Sequence, residues 1–335
     1  MSGSVIITGA TGSLALEAVQ QLLSHPSLTI VGTVRNAASS PKSAHLTRLE
    51  QIAGQHPAGK LLIKSVDLNS LSEVRAFTEE IAGLIESKQL PPICAIICNA
   101  FTWSLDGQRF SNDQYESTFQ VNHLAHFSLV LRLLRNVDRE SGRVVMLSSE
   151  VHDPEVRIPL SKLGAELPSD DNLELLVKPG PEETGTEHDM GWRRYANSKL
   201  ANVMLMQSLN QRLQQDPMLN RITVTAMDPG GLVDSRAHTS QRGIVRIAFK
   251  LFAISLPIIN IFSYKLRSNA DSARDLVALA IDPKYSLVRG HFDGQTPNAA
   301  ARISENEEKR EAIWNACWDW TGMNEDETCV PKRCA

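Results

Sequence analysis

Strand-like and helix-like segments alternate along most of this 335-residue chain. Apolar and β-branched runs predict six strands, at residues 5–8, 28–34, 61–66, 93–98, 144–147 and 222–226. Apolar residues at helical spacing predict helices at 74–85, 115–134 and 195–213. This alternation predicts the α/β class, with one Rossmann-type domain over residues 1–335 and a doubly wound parallel sheet covered by helices on both faces. Ligands of such sheets bind beyond the carboxyl ends of the strands.

The first predicted strand runs directly into a glycine-containing turn, TGATGSLA at residues 8–15. Glycines at such a junction let the backbone approach a pyrophosphate, and the N-terminus of the following helix offers unpaired N–H groups. We therefore predict that Thr8, Gly9, Gly12 and Leu14 bind a dinucleotide. The third small position is Ala15 instead of glycine, and a glycine pair at a strand–helix junction is also compatible with a plain turn.

Polar residues follow the next three predicted strands. Arg35 stands where an acidic residue would bind the ribose hydroxyls of NAD, and an arginine there suits a 2′-phosphate. Asp67 is placed to reach the adenine, and Asn99-Ala100 ends the fourth strand, where small residues let the nicotinamide ribose pack closely. These residues favour NADP(H) over NAD(H). The alternatives are a solvated arginine and an acid near the N-cap of the next helix.

Tyr195 precedes Lys199 by four residues, and no other tyrosine in the chain stands four residues before a lysine. One helical turn places both side chains on the same face. A free phenol has a pKa of about 10. An adjacent ammonium favours the phenolate, so the pair predicts acid–base chemistry with a lowered pKa for Tyr195. The same spacing also occurs on ordinary surface helices.

Composition excludes several classes of function. The net charge is −4 and no basic block appears, which argues against a nucleic-acid partner. The five cysteines show no paired Cys/His spacing, so we predict no metal site and interpret Cys94 and Cys98 as buried core thiols. The chain enters a strand-like run at Ser4 with no leader before it, so the cytoplasm is the expected location.

Three further segments stand out from the alternating pattern. Residues 153–190 are polar and rich in proline, glycine and acids, which predicts a surface insertion that is either functional or partly disordered. Residues 244–262 are the most apolar, but charges and a proline interrupt them and they are too short to span a bilayer. We predict an apolar substrate lid at 236–268, with a core helix or peripheral membrane contact as alternatives. A C-terminal helix is expected at 304–320.

The ordered set of motifs resembles the short-chain dehydrogenase/reductase family from Ser4 to about Trp320. The matching segments are, in chain order, the glycine turn, Asp67, Asn99-Ala100, FQVNHL at 119–124, Ser148-Ser149, Tyr195 with Lys199, and Pro229-Gly230. Residues 119–124 and 148–152 are most similar to retinol-dehydrogenase-like and WW-domain oxidoreductases. The glycine turn and residues 228–231 are more similar to fungal members of secondary-metabolite pathways.

The resemblance implies a catalytic set of four residues. Tyr195 is the general acid/base, Lys199 lowers its pKa and contacts the nicotinamide ribose, Ser149 orients the substrate oxygen, and Asn122 supports the water chain that relays the proton. Ser149 is chosen over Ser148 because the family uses the second serine of the pair. His152 is interpreted as a loop histidine.

The resemblance also implies cofactor contacts beyond the glycine turn. They lie at Tyr195, Lys199, Pro229, Gly230, Val233 and Ser235, with Ser235 in place of the family's threonine. Phe101 stands where the family has a glycine, next to the predicted nicotinamide site. Family members often dimerise through the helices that carry Asn122 and Tyr195, so a homodimer is an expected assembly.

The implied activity is the NADP(H)-dependent interconversion of a secondary alcohol and a ketone. The apolar lid and Phe101 favour a lipophilic substrate, such as a terpenoid, a meroterpenoid, a polyketide or a sterol- or retinoid-like molecule. Two alternatives use the same fold. One is a cofactor-binding sensor or scaffold without catalysis, and the other is an isomerase or dehydratase that uses the tyrosine without net redox change.

Overall fold

The computed structural model describes residues 1–38, 43–155, 164–232 and 266–333. Within them, the main sheet is formed by β1 (Gly3–Ile7), β2 (Leu28–Val34), β3 (Lys60–Ser65), β4 (Ile93–Cys98), β5 (Arg143–Leu147), β6 (Thr223–Asp228), β9 (Gly290–Asp293) and β10 (Thr296–Pro297). Two shorter strands, β7 (Gly231–Leu232) and β8 (Leu266–Arg267), pair with each other in parallel. The main sheet has the order β10-β9-β6-β5-β4-β1-β2-β3. Its strands are parallel except at the β9–β10 edge.

Helices connect the parallel strands. They are α1 (Ser13–Leu23), α2 (Ala44–Gln55), α3 (Leu71–Glu86), α4 (Ser117–Phe119), α5 (Ala125–Leu133), α6 (Glu187–Gln215), α7 (Asn269–Ile281) and α8 (Glu307–Trp320). A π-helical turn at Gln120–Leu124 joins α4 to α5. The strand order reverses direction between β1 and β4, which is the topological switch point of a doubly wound sheet. The predicted fold class is therefore confirmed.

Side chains from each strand alternate between two buried clusters, one on each face of the sheet. In β1, Ile6 joins the cluster formed with α3, α5, α6 and α8. Its neighbours Val5 and Ile7 join the cluster formed with α1, α2 and α7. Because both faces are covered, the strands read as continuous apolar runs instead of alternating patterns.

Short polar side chains begin several of these helices. Ser43 accepts a hydrogen bond from the Leu46 N–H at the start of α2, and Ser70 accepts one from the Glu73 N–H at the start of α3. Ser268 does the same for α7. Such N-caps stabilise a helix by about 1 kcal/mol because they satisfy an N–H that lacks an intrahelical partner.

Element boundaries differ from the predicted ones mainly where periodicity is weak. The helix predicted at 195–213 begins at Glu187, eight residues earlier, so Tyr195 lies two turns inside α6. The sixth strand extends to Asp228. The C-terminal helix begins at Glu307 and follows a short 3₁₀ turn at Arg302–Glu305.

The predicted insertion contains residues that belong to the core. Leu173, Leu176 and Val177 are buried in the same cluster as α8. The Val177 carbonyl accepts a hydrogen bond from the Glu116 N–H at 2.7 Å. This part of the segment is therefore packed against the body of the fold. Of the predicted lid, residues 236–265 lie outside the described part of the chain.

Candidate active site

The glycine turn is fixed to the end of β4 by buried hydrogen bonds. The Thr8 hydroxyl oxygen accepts from the Asn99 N–H at 3.0 Å and from the Ala100 N–H at 2.9 Å. The Asn99 side-chain amide donates to the Thr8 carbonyl at 2.9 Å. These hydrogen bonds position the glycine turn against the end of β4.

Two close approaches require glycine in this turn. Gly9 has a φ of +66°, and a Cβ there would lie 3.0 Å from the Ala100 Cα. A Cβ at Gly12 would lie 3.1 Å from the Gly9 carbonyl oxygen, and the Gly12 N–H donates to that oxygen at 2.8 Å. Leu14 is buried in the core, so its backbone is the part that faces the turn. Bare backbone at the N-terminus of α1 fits a pyrophosphate.

Arg35 and Asp67 lie next to each other beyond the ends of β2 and β3. The Arg35 Nε is 3.9 Å from an Asp67 carboxylate oxygen, and the Arg35 side chain is 73% exposed. Asp67 also accepts from the Asn69 N–H at 3.0 Å, whereas the N-cap of α3 is Ser70. The exposed guanidinium can therefore reach a ligand bound along the carboxyl edge of the sheet.

Tyr195, Lys199 and Ser149 come together at the carboxyl end of β5. The Ser149 side chain acts on the Tyr195 hydroxyl and lowers its pKa. The Lys199 Nζ donates to the Leu147 carbonyl at 3.0 Å and lies 5.5 Å from the centroid of the Tyr195 ring. Lys199 is 2% exposed, so its charge is largely removed from water. Helical spacing in α6 and the end of β5 thus place a phenol, a hydroxyl and an ammonium around one point.

Asn122 lies in the π-helical turn, a distortion that often marks functional positions. Its Oδ1 accepts from the Thr102 N–H at 2.7 Å, and its Nδ2 donates to the Thr102 carbonyl at 3.0 Å. The same Nδ2 is 3.0 Å from the Ser198 hydroxyl, which donates to the Tyr195 carbonyl at 2.7 Å. The Asn122 amide therefore connects the segment after β4 to the helix that carries Tyr195 and Lys199.

Sequence reasoning missed a buried histidine that connects Asn122 to the glycine turn. The Nδ1 of His126 lies 3.1 Å from the Asn122 carbonyl, and its Nε2 lies 2.9 Å from the Thr8 hydroxyl. Because a carbonyl can only accept, Nδ1 carries the proton and Nε2 accepts from Thr8. Burial lowers the pKa of His126 to about 4, so the ring is neutral at physiological pH. Its spacing of four residues from Asn122 was the available sequence signal.

His152 is also buried, and the interpretation of it as a loop histidine did not anticipate its contacts. It is 3% exposed, and its Nδ1 donates to the Ser149 carbonyl at 2.7 Å. Its Nε2 accepts from the Ala301 N–H at 3.2 Å. Burial lowers the pKa of His152, which favours this neutral form. The histidine thereby joins the backbone of Ser149 to the segment that precedes α8.

Asp228 brings a buried carboxyl group into the same region. Asp228 is the last residue of β6, and its carboxylate accepts a hydrogen bond from the Gly230 N–H at 2.9 Å. The same carboxylate acts electrostatically on Tyr195 and Lys199, which lie on α6. Burial, with smaller contributions from Asp293 and Glu150, raises the pKa of Asp228 to about 6, and the hydrogen bond from the Gly230 N–H opposes this rise. Sequence reasoning used residues 228–231 for the family resemblance and Pro229 and Gly230 as predicted cofactor contacts, but it assigned the Asp228 carboxyl group no place in the site.

Burial dominates the protonation of the two central groups. It lowers the pKa of Lys199 to about 8, and Asp228 opposes that change. It raises the pKa of Tyr195 above the ordinary value of a phenol, and Asp228 raises it further, while the Ser149 hydrogen bond lowers it. The prediction of a net lowered pKa for Tyr195 is therefore wrong for this arrangement, because desolvation of the phenolate dominates.

The remaining predicted cofactor residues follow β6. Gly230 has a φ of 75°, and the Pro229 carbonyl accepts from the Ser272 hydroxyl at 2.6 Å. Val233 and Ser235 lie outside the described residues. In the ranges that the structure describes, no group of three or more His, Cys, Asp or Glu side chains could hold a metal ion. No helix within those ranges is long and apolar enough to cross a membrane.

Sequence comparison identifies the family. The chain is 31% identical over 370 residues to the short-chain dehydrogenase iccH of Talaromyces variabilis, and the alignment covers 98% of each protein. The chain belongs to the short-chain dehydrogenase/reductase family. Family models match it as a short chain dehydrogenase at residues 4–157 and as an AcuH dehydrogenase domain at residues 244–330. As a member of this family it is an NAD(P)-dependent oxidoreductase that acts on CH–OH groups.

Other short-chain dehydrogenases match parts of the chain or its fold. The WW domain-containing oxidoreductase of Drosophila melanogaster is 32% identical over 234 residues, which are 69% of this chain and 49% of that protein. The crystal structure of angucycline C-6 ketoreductase LanV with bound NADP superposes with a TM-score of 0.58. That match covers 88% of this chain and 95% of LanV at 16% identity, so it shows the shared fold alone.

Proposed function

We propose that this short-chain dehydrogenase interconverts a secondary alcohol and a ketone on a lipophilic small molecule with NADP(H). The observation that supports this most is the convergence of three groups. The Ser149 side chain acts on the Tyr195 hydroxyl and lowers its pKa, and the Lys199 ammonium lies 5.5 Å from the centroid of the same phenol ring. Together they provide an acid, a hydrogen-bond donor and a buried cation at the carboxyl edge of the sheet, where such folds bind their ligands.

The proposed roles follow from these contacts. The nicotinamide, when bound, supplies or accepts the hydride. Tyr195 donates its hydroxyl proton to the ketone oxygen or removes it from the alcohol, and Ser149 donates a hydrogen bond to that oxygen as charge develops on it. Lys199 provides the positive charge that stabilises the phenolate formed in ketone reduction. Asn122 positions the helix of Tyr195 and, through its carbonyl, the neutral His126.

The described residues fit a phosphorylated dinucleotide. Gly9 and Gly12 leave bare backbone at the N-terminus of α1, where a side chain would meet the Ala100 backbone or the Gly9 carbonyl oxygen. Arg35 is exposed beyond β2 and suits a 2′-phosphate. LanV carries NADP in its solved structure, which also supports this preference. NAD(H) is the alternative, because Asp67 stands beside Arg35 and could accept from a free ribose hydroxyl.

The lipophilic substrate is supported by the rings beside Tyr195. Phe101 and Trp103 both lie within 6.0 Å of the Tyr195 ring, measured between centroids. Phe101 is 43% exposed although it is fully apolar. We propose a terpenoid, meroterpenoid, polyketide or sterol-like ketone, in keeping with the similarity to a fungal short-chain dehydrogenase.

The test is a turnover assay with wild type and Arg35→Ala. Lipophilic secondary alcohols and their ketones are screened by the absorbance of reduced nicotinamide, with NADP(H) and NAD(H) in parallel. We expect turnover with NADP(H), and we expect Arg35→Ala to weaken NADPH binding by roughly 10- to 100-fold, as for the loss of a hydrogen bond to a charged group. NADH binding should change by less than about twofold, since NADH lacks the phosphate.

Three outcomes contradict parts of this proposal. Cofactor binding without consumption across the panel would indicate a sensor or scaffold. Conversion of a substrate without change in nicotinamide absorbance would indicate an isomerase or dehydratase. Equal effects of Arg35→Ala on NADPH and NADH would remove the assignment of the 2′-phosphate to Arg35 while leaving the oxidoreductase activity in place.

Asp228 gives the proposed reaction a testable pH dependence. Its carboxylate faces Lys199 and Tyr195 from β6, with Glu150 and Asp293 on its other sides. Removal of a nearby negative charge favours the phenolate. In Asp228→Asn, we therefore expect the pKa that governs alcohol oxidation to fall by about half a unit to one unit, so that the acidic limb of the kcat profile moves to lower pH.

The pH profile of NADP⁺-dependent alcohol oxidation provides the measurement. Asp319→Asn is the matched control, because its carboxylate is 66% exposed and pairs with Lys332 at the surface. The control should leave the limb unchanged. If the acidic limb of the kcat profile stays in place in Asp228→Asn, or moves to higher pH, Asp228 does not act on Tyr195 electrostatically.

A further inference from the structure

Three aromatic side chains meet around the Tyr195 phenol that the proposed function uses. Trp103 lies 5.4 Å from Tyr195 and 5.2 Å from Trp192, measured between ring centroids. Phe101 lies 6.0 Å from both Trp103 and Tyr195. Trp192 lies 6.0 Å from Tyr195 at an interplanar angle of 83°. We name Phe101, Trp103 and Trp192 the aromatic shelf.

The segment that carries the first two shelf residues is tied to its surroundings on both sides. The Thr102 N–H and carbonyl, which lie between the two rings in sequence, both bond to the Asn122 amide. The Arg194 guanidinium donates to the Ser104 carbonyl at 2.8 Å. Gly191 packs so closely that a Cβ there would lie 2.2 Å from the Ser104 carbonyl oxygen. The rings are therefore positioned by backbone contacts and do not depend on a loose loop.

The shelf is buried at one end and open at the other. Trp192 is 6% exposed and Tyr195 is 9% exposed, whereas Phe101 is 43% exposed. The Trp192 Nε1–H has no hydrogen-bond acceptor among the described residues. A buried indole N–H normally finds a hydrogen-bond partner, and an aromatic ring has a large apolar surface to bury. These two features point to a ligand that supplies both an aromatic surface and an oxygen acceptor.

We infer that the aromatic shelf binds a flat, conjugated ring of the substrate, with the reacting carbon on an adjoining saturated ring that faces Tyr195. The inference rests on the proposed function, since it takes Tyr195 as the reacting phenol. Stacked and edge-to-face ring contacts add attraction beyond burial of area, and a puckered saturated ring cannot make them over the same surface. The shelf therefore selects a fused aromatic ketone over its saturated counterpart.

The probes are 2-tetralone and 2-decalone, two bicyclic ketones with the same carbon skeleton. The carbonyl is not conjugated with the ring in either, so the pair differs mainly in the flat aromatic ring. Each Kd is measured by calorimetry on the full chain saturated with NADP⁺, because an oxidised cofactor cannot reduce a ketone. We expect wild type to bind 2-tetralone roughly three- to tenfold more tightly than 2-decalone.

Substitutions within the shelf should remove this preference. In Phe101→Leu and in Trp103→Leu we expect the ratio of the two Kd values to fall to about one, because the ring–ring contribution is lost. Phe101→Tyr, which retains the ring, should retain the ratio. Phe110→Leu is the control, since Phe110 is 49% exposed on the same stretch of chain and pairs its backbone with Glu116. It should behave as wild type.

Equal affinity of wild type for the two ketones, binding of neither, or an unchanged ratio in Phe101→Leu would overturn the inference. The proposed function is tested separately by NADPH-dependent reduction of 2-decalone in wild type and its loss in Tyr195→Phe. If that reduction depends on Tyr195 while the two ketones bind equally, the proposed function stands and the shelf does not select for aromatic rings.

Discussion

Tyr195→Phe is expected to lower kcat by at least about a hundredfold while changing the Kd of NADPH by less than about twofold. The exchange removes one hydroxyl and retains the ring, which packs against Phe101, Trp103 and Trp192. Without the hydroxyl, no positioned group exchanges the proton of the substrate oxygen, and the interaction of that hydroxyl with Ser149 is also lost. Apart from Tyr195 itself, the predicted cofactor contacts lie on other residues that the substitution leaves in place, so binding should persist.

The measurement is single-turnover kinetics with saturating NADPH, together with the quenching of tryptophan fluorescence by the cofactor. Tyr285→Phe is a matched control, because Tyr285 is 8% exposed and its hydroxyl donates to Gln295 at 2.9 Å. It lies in the core cluster on the opposite face of the sheet from Tyr195. Turnover by Tyr195→Phe within tenfold of wild type would exclude Tyr195 as the acid/base.

The order of elements could be predicted because both faces of the sheet are buried. Strands buried on both faces appear as uninterrupted apolar runs, and this pattern placed β2 and β4 at their observed bounds. The spacing of Tyr195 and Lys199 also sufficed to place both on one face of α6, because helical geometry does not depend on distant residues. Motif order then brought Ser149 to the same edge.

The protonation of the site could not be predicted from spacing. The four-residue interval suggested that Lys199 would lower the pKa of Tyr195, but that reasoning treated the pair as if it were in water. Both groups are buried, and desolvation acts on each in the direction that opposes its charge. Asp228 acts on both from a different strand. Burial depth and cross-strand neighbours are properties of the packed fold.

The histidine contacts were hidden for a related reason. His126 contacts Thr8, which lies 118 positions away from it in the chain, and His152 contacts Ala301, which lies 149 positions away. No local pattern encodes such distances. The insertion at 153–190 shows the same limit, since its polar composition concealed the apolar residues Leu173, Leu176 and Val177 that pack in the core.

Arg194, the neighbour of Tyr195, should be among the residues most important for stability. Its side chain is 8% exposed and forms ion pairs with Glu182 and, at 3.3 Å, with Glu116. Glu116 is 0% exposed, and its carboxylate also caps the Phe119 N–H at 2.8 Å. The guanidinium thus compensates two carboxylates, one from the start of α4 and one from the segment that precedes α6.

We expect Arg194→Met to lower the free energy of unfolding at pH 7.5 by about 3–5 kcal/mol. Methionine retains much of the volume, but it leaves Glu116 and Glu182 buried without a cation, and it removes the donors to the Ser104 and Gly107 carbonyls. The measurement is urea denaturation followed by circular dichroism. Arg109→Met is the matched control, because Arg109 is 67% exposed and pairs with Asp106 at the surface. The free energy of unfolding of this control should fall by less than about 1 kcal/mol.

The loss in Arg194→Met should depend on pH with a definite sign. Burial raises the pKa of Glu116 above its ordinary value, so the native state binds a proton more tightly than the unfolded chain. Removing the guanidinium raises that pKa further. Stability of the variant therefore falls as pH rises through the raised pKa of Glu116, and its deficit against wild type shrinks as pH falls. A deficit below about 1 kcal/mol at pH 7.5, or one that grows on acidification, would show that the two carboxylates do not need this cation.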